Sequence, residues 1–203
     1  LEGIWSRRVL TNGGPLHQQL EAALAAYLGV PHVALFANAT LALIAAFKVL
    51  GLRGEVVTSP FSFVASVHAL RWAGCEPVFA DIDPDTLNLD PRSVPAALGK
   101  RSVGILPVHC YGHACDTEAL AALARTHGLR VVYDAAHAFG VRQGGRSLAA
   151  HGDLSVISFH ATKVFNTFEG GAIVCDDPQL KQRIDRFKNF GIVNELHVEA
   201  EGF

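Results

Sequence analysis

The 203-residue chain predicts a three-layer α/β/α fold around a mostly parallel sheet. Three observations carry that expectation. Short apolar runs alternate with helix-like stretches, half of the residues are hydrophobic while only 18% are charged, and 19 glycines and 9 prolines punctuate the chain throughout. Near-continuous apolar strands joined by helical crossovers need cover on both faces of the sheet.

Taken in order, the stretch 15–28 (PLHQQLEAALAAYL) sets Leu16, Leu20, Ala23, Leu24 and Tyr27 on one side behind Pro15, which predicts a helix with a buried stripe ended by Gly29. Apolar runs at 32–37, 55–59, 77–80, 103–108, 130–134 and 154–159 predict strands, with helices at 40–50, 62–73, 91–98 and 116–127 between them. Gly170-Gly171 leads one more strand. The polar ending 193–203 shows no period and no capping signal, methionine is absent and Leu1 comes first, so the chain reads as part of a longer product.

Composition narrows the function. Seventeen Lys+Arg against 19 Asp+Glu leave a net charge of −2, which argues against nucleic acid or an anionic membrane as the main partner. No apolar run approaches the roughly 18 residues of a membrane span. The N-terminus has no basic segment followed by an apolar run. The four scattered cysteines (Cys75, Cys110, Cys115 and Cys175) fit a reducing cytoplasm. Dinucleotide, Walker-type and zinc-protease motifs are missing, and the HCYGHAC segment (109–115) matches no zinc spacing, so no metal site is expected.

In an open α/β sheet, ligands bind beyond the carboxyl ends of the strands. There the chain places Asn38-Ala39-Thr40, a small polar helix start whose free N–H groups suit a phosphate, although a plain N-cap by Asn38 would read the same. Strand 55–59 leads into Phe61 and Phe63, strand 130–134 ends in Asp134 with His137 just after, and strand 154–159 brings Ser158 and then Lys163. Singly, each has a structural explanation. Together, a phosphate-ready helix start, an acid and an amine at one sheet edge describe a pyridoxal phosphate site. In that reading Lys163 is the amine that links to the cofactor and then moves a proton, and Asp134 keeps the pyridine nitrogen protonated. Ser158 and Thr40 reach the phosphate and Phe63 covers one ring face.

The motifs TNGGP (11–15), SPFSFVAS (59–66), PVFADIDPDTLNLDP (77–91), ILPVHCYG (105–112), DAAHAFG (134–140), SFHATK (158–163), EGGAIV (169–174) and KNFGI (188–192), in this order and spacing, resemble the DegT/DnrJ-type sugar-nucleotide aminotransferases. The resemblance covers nearly the whole chain. It implies the large pyridoxal-phosphate-binding domain of fold type I over 1–203, with a smaller C-terminal domain beyond it. It implies Lys163 and Asp134 as catalytic residues, with Ala39, Thr40, Phe63, His137 and Ser158 also on the cofactor and His137 near its 3′-oxygen. SFHATKVFNTFEGG looks most like members that aminate thymidine-diphosphate-linked 4-keto-6-deoxy sugars. Glutamate as donor, deoxyamino-sugar or cell-surface polysaccharide biosynthesis, and a homodimer that shares its sites follow from the same resemblance. The family usually has glycine where this chain has Ala39. A non-catalytic sensor of the same fold is the alternative, and retention of Lys163 speaks for transamination.

Overall fold

The computed structural model describes residues 2–8, 12–194 and 196–203; Thr11 of the TNGGP motif lies outside them. In chain order the elements are α1 (Glu2–Arg7), α2 (Pro15–Leu28), β1 (His32–Phe36), α3 (Ala39–Val49), β2 (Glu55–Thr58), α4 (Val64–Ala73), β3 (Glu76–Phe79), α5 (Val94–Ala97) and β4 (Ser102–Leu106). They continue with α6 (Thr117–His127), β5 (Arg130–Asp134), β6 (Arg142–Gln143), β7 (Arg146–Ser147), β8 (Leu154–Ser158), β9 (Gly171–Cys175), α7 (Pro178–Phe187), β10 (Ile192–Asn194) and β11 (His197–Val198).

Seven strands form one sheet in the order β1-β9-β8-β5-β4-β2-β3. The β8-β5-β4-β2-β3 pairs are parallel, and β9 runs antiparallel to both of its neighbours. Successive residues of a strand face opposite sides, and the core shows that alternation. Val56, Leu106, Val132, Val156 and Ile173 point to a cluster with Phe47 of α3, Leu70 of α4 and Ile184 of α7. Their sequence neighbours turn the other way. Val57, Ile105 and Val131 meet Leu120 of α6, while Ile157, Ala172 and Val174 meet Leu24 and Leu28 of α2. The three layers expected from the sequence are present, and apolar strand residues are needed on both sides.

α3 is apolar almost all round because it lies between the sheet and two other helices, and only Lys48 is exposed among its last eight residues. The stripe of α2 differs from the one read from sequence. Leu20, Leu24 and Leu28 face the core, whereas Leu16 and Tyr27 are 63% and 59% exposed. An i, i+4, i+8 leucine row fits the sheet better than the broader face, and Tyr27 stacks on Phe139 at 5.3 Å from the rim.

Two expected elements change. The helix at 91–98 shrinks to the single turn Val94–Ala97, since the preceding polar run satisfies its own backbone through Asp83 and Asp90 side chains. The ending, read as aperiodic, pairs as the short hairpin β10-β11. α7 carries clear signals that the sequence reading passed over: Asp177 caps it through the Gln179 N–H, Pro178 opens it, and Leu180 and Ile184 are buried one turn apart.

Candidate active site

All seven residues selected from the sequence line one cavity of about 820 Å³ at the carboxyl ends of the parallel strands. Each is placed by a local cause.

The first arm is the start of α3. Asn38 does cap this helix, its Oδ1 accepting the Leu41 N–H at 2.9 Å, so the structural explanation is correct. It leaves the functional one intact, because among the described residues the N–H groups of Ala39 and Thr40 have no acceptor and both residues line the cavity. The fold brings this helix start close to β9. A Cβ on Gly171 would lie 2.6 Å from Ala39 N and 2.7 Å from the Asn38 carbonyl carbon, so only glycine fits. Gly171 therefore makes room for the α3 backbone. Its register completes the arrangement: Gly171 pairs with Phe36 on one side and Ser158 on the other. The α3 start and Ser158 are thus two strands apart, roughly 10 Å, a gap that a phosphate and its hydrogen bonds can bridge.

The second arm is the tip of β5. Asp134 is 6% exposed. Its backbone is held on both sides, its N–H donating to Pro107 O at 2.9 Å and the next N–H, of Ala135, to Val156 O at 2.8 Å. Ser66 Oγ donates to Asp134 Oδ2 at 2.7 Å and Ala136 N–H to Oδ1 at 3.1 Å. His137 accepts the Tyr111 N–H on Nδ1 at 3.2 Å, and the two rings stack at 5.8 Å. Burial, followed by the Lys163 charge, lowers the His137 pKa against a smaller opposing pull from Asp134. The neutral ring then carries its proton on Nε2 and can donate.

The third arm is the loop from 159 to 170. Phe159 and Ala161 donate to Gly170 O and Phe168 O, while Phe165 packs on Phe139 at 4.5 Å and on Phe159 at 5.2 Å. Lys163 N–H donates to His160 O at 2.9 Å. Its backbone is fixed, its side chain is half-buried, and among the described residues its amine forms no hydrogen bond or ion pair. Phe63, before α4, is 76% exposed on the cavity rim.

Sequence reasoning missed Ser66 and Tyr111. Ser66 follows Phe63 by one helical turn, and Tyr111 holds a left-handed φ of 52° at the cavity wall. Lys163 is the one lysine among the lining residues, and no arginine joins it. Other basic residues are engaged elsewhere: Arg183 with Val49 O, Arg186 with Glu199 and Lys188 with Glu21. No metal-binding cluster occurs among the described residues, and no described helix is long and apolar enough to cross a membrane.

A three-layer sheet whose strand tips join a free lysine, a buried aspartate and an open helix start defines a pyridoxal-phosphate-type domain of the aminotransferase class. Residues 1–202 match the DegT/DnrJ/EryC1/StrS aminotransferase family, and the chain belongs to it. Members of this family depend on pyridoxal phosphate. A dTDP-4-amino-4,6-dideoxy-D-glucose transaminase of Shigella dysenteriae is 54% identical over 202 residues, 100% of this chain and 55% of that protein. A crystal structure of DesI in the presence of its TDP-sugar product superposes with a TM-score of 0.93 at 45% identity, covering 99% of this chain and 51% of the other. NtdA from Bacillus subtilis, solved with bound cofactor PMP, gives 0.87 at 30% identity over 94% of this chain and 44% of that one. The chain spans about half the length of the relatives it matches.

Proposed function

We propose that this chain forms the cofactor-binding part of an aminotransferase that moves an amino group, from glutamate, to a keto sugar-nucleotide of the dTDP-4-keto-6-deoxyhexose type. The convergence of Lys163, Asp134, Ser158 and the open start of α3 on one cavity is the observation that carries the reading. The donor set fits pyridoxal phosphate: neutral N–H and O–H donors for a phosphate, a carboxylate for a ring nitrogen and an unpaired amine for an aldehyde.

Pyridoxal phosphate, when bound, supplies an aldehyde that carries the amino group and a ring that accepts the electron pair left by a lost proton. The chain's residues do the rest. Lys163 would hold the cofactor covalently and, once freed by an incoming amine, would take and return the proton at the reacting carbon. Asp134 would keep a proton on the ring nitrogen. The N–H groups of Ala39 and Thr40, with the Ser158 hydroxyl, would hold the phosphate, Phe63 would cover the ring, and the Nε2–H of His137 would donate to the 3′-oxygen.

A sugar nucleotide brings two phosphate charges, and no arginine lines the cavity. Val164 and Phe168, on the lysine loop, are 89% and 82% exposed. The exposed loop favours a homodimer whose partner covers it, and the cations that a sugar nucleotide needs come from outside this cavity lining. The sequence-similar transaminases favour deoxyamino-sugar biosynthesis, and we place its product in cell-surface lipopolysaccharide. A reducing cytoplasm suits the four cysteines, which are free and buried.

Borohydride reduction with pyridoxal phosphate, followed by peptide mapping, tests the assignment. The label should fall on Lys163, and a label on Lys48, Lys100, Lys181 or Lys188 overturns it.

A further inference from the structure

Ser66 takes no part in the roles assigned above. Its side chain is completely buried in the first turn of α4, and its hydroxyl leaves that helix to meet Asp134 Oδ2 at 2.7 Å. Serines near helix starts commonly hydrogen-bond to nearby backbone. This one instead connects a helix to a strand tip in another layer. The opposite carboxylate oxygen is held by Ala136 N–H at 3.1 Å. With one donor on each oxygen, the carboxylate plane is fixed, since rotation about its last bond would break both contacts.

The charge of the donor matters as much as its position. Both groups bonded to Asp134 are neutral, so they stabilise its negative charge without cancelling it. A lysine or arginine in place of Ser66 would pair with the carboxylate and weaken its attraction for a proton on a neighbouring ring. The other titratable groups nearby are His137, whose ring stays neutral, the Cys110 thiol, which burial and then Asp134 keep protonated, and Lys163. None of them donates to the carboxylate among the described residues. Ser66 also shares its turn with the ring-covering residue, its own N–H donating to Phe63 O at 3.1 Å.

We infer that Ser66 is a positioning residue for Asp134: its hydroxyl fixes the carboxylate plane and preserves its charge, so that the free lone pairs face the cofactor's ring nitrogen. This rests on the proposed function. Removing the hydroxyl leaves a carboxylate with one donor fewer, which draws the ring proton toward itself.

The test follows the ring nitrogen directly. The chain is loaded with pyridoxal phosphate labelled with nitrogen-15 in the ring, and its resonance is titrated with pH in wild type and Ser66→Ala. The wild-type signal should sit at the protonated position near neutral pH; in the variant that signal should move toward the unprotonated position as the more basic carboxylate draws the proton, and the midpoint should rise by about one pH unit, as expected for one hydrogen bond to a charged group. An unchanged midpoint with normal cofactor uptake would overturn the inference alone. If Ser66→Ala does not fold, Ser66→Thr must keep the wild-type midpoint and Ser66→Cys, a weak donor of similar size, must raise it; any other result overturns the inference. A wild-type chain that takes up no cofactor overturns the functional reading and this inference with it.

Discussion

Two polar clusters in this molecule have nearly the same contents. One joins His17 and Glu21 of α2 to Lys181 and Asp185 of α7 and to Lys188 just beyond it; the other is the cavity with His137, Asp134 and Lys163. In the first, every charge is answered. Glu21 takes contacts from Lys188 at 2.8 Å, Lys181 at 3.4 Å, His17 at 2.9 Å and the Leu35 N–H at 2.9 Å. Burial pushes its carboxyl up, but the Lys188 and Leu35 hydrogen bonds and the two lysine charges outweigh that and hold it at about 2. In the cavity, Asp134 is held by neutral donors and Lys163 has no partner among the described residues. The contents therefore do not tell a structural cluster from the candidate reactive one. What distinguishes them is whether the fold lets opposite charges neutralise each other.

The difference can be broken from either side. The largest effect is expected for Asp134→Asn, which should retain cofactor while transamination, followed by product mass, falls two to three decades, or about 3–4 kcal/mol in the barrier. Chemical denaturation should show little change. A rate near wild type would make Asp134 a residue that only closes the turn after β5 and would reduce the cavity to the same status as the Glu21 cluster.

Glu21→Gln should do the reverse. It strands two lysines in a half-buried site, so denaturation in urea should show a loss of about 2 kcal/mol while cofactor affinity stays within about twofold. The pH dependence follows from the sign. The folded carboxyl is held below its ordinary value of 4.5, so its stabilisation is complete above pH 4.5 and disappears as pH falls toward about 2. The Glu21→Gln variant should lack that part of the acid transition.

Gly171→Ala sharpens the comparison with a smaller change. The added methyl must displace the Asn38–Ala39 backbone, costing about 1–2 kcal/mol in stability, and should weaken cofactor binding about tenfold. Calorimetry with pyridoxal phosphate measures the second effect. A stability loss without an affinity loss would mean that the α3 start does not hold the phosphate.

Most of the fold was legible because turn residues bound each apolar run, and every expected strand matches an observed one within a residue or two. The site was legible for a related reason. Parallel strands aim their ends at one edge, so Asp134, Ser158 and Asn38-Ala39-Thr40 could be brought together on paper. Contacts between distant segments could not. The Ser66 hydroxyl has meaning only where α4 meets β5, and the Lys188–Glu21 contact joins residues 167 positions apart. The orientation of α2 also escaped, since its broad apolar composition allowed two faces and only contact with the sheet selected one.

The place of β1 in the sheet has a kinetic consequence. It is an edge strand whose neighbour is β9, and Phe36 pairs with Gly171 across most of the chain. Closing so long a loop is slow and brings little reward until the final ladder forms. The strand that presents the α3 start must therefore wait for one of the last strands in the sequence. The cavity should arise late and all at once, with β5 and β8 already paired, so a folding intermediate with an intact sheet centre would still be unable to hold the phosphate.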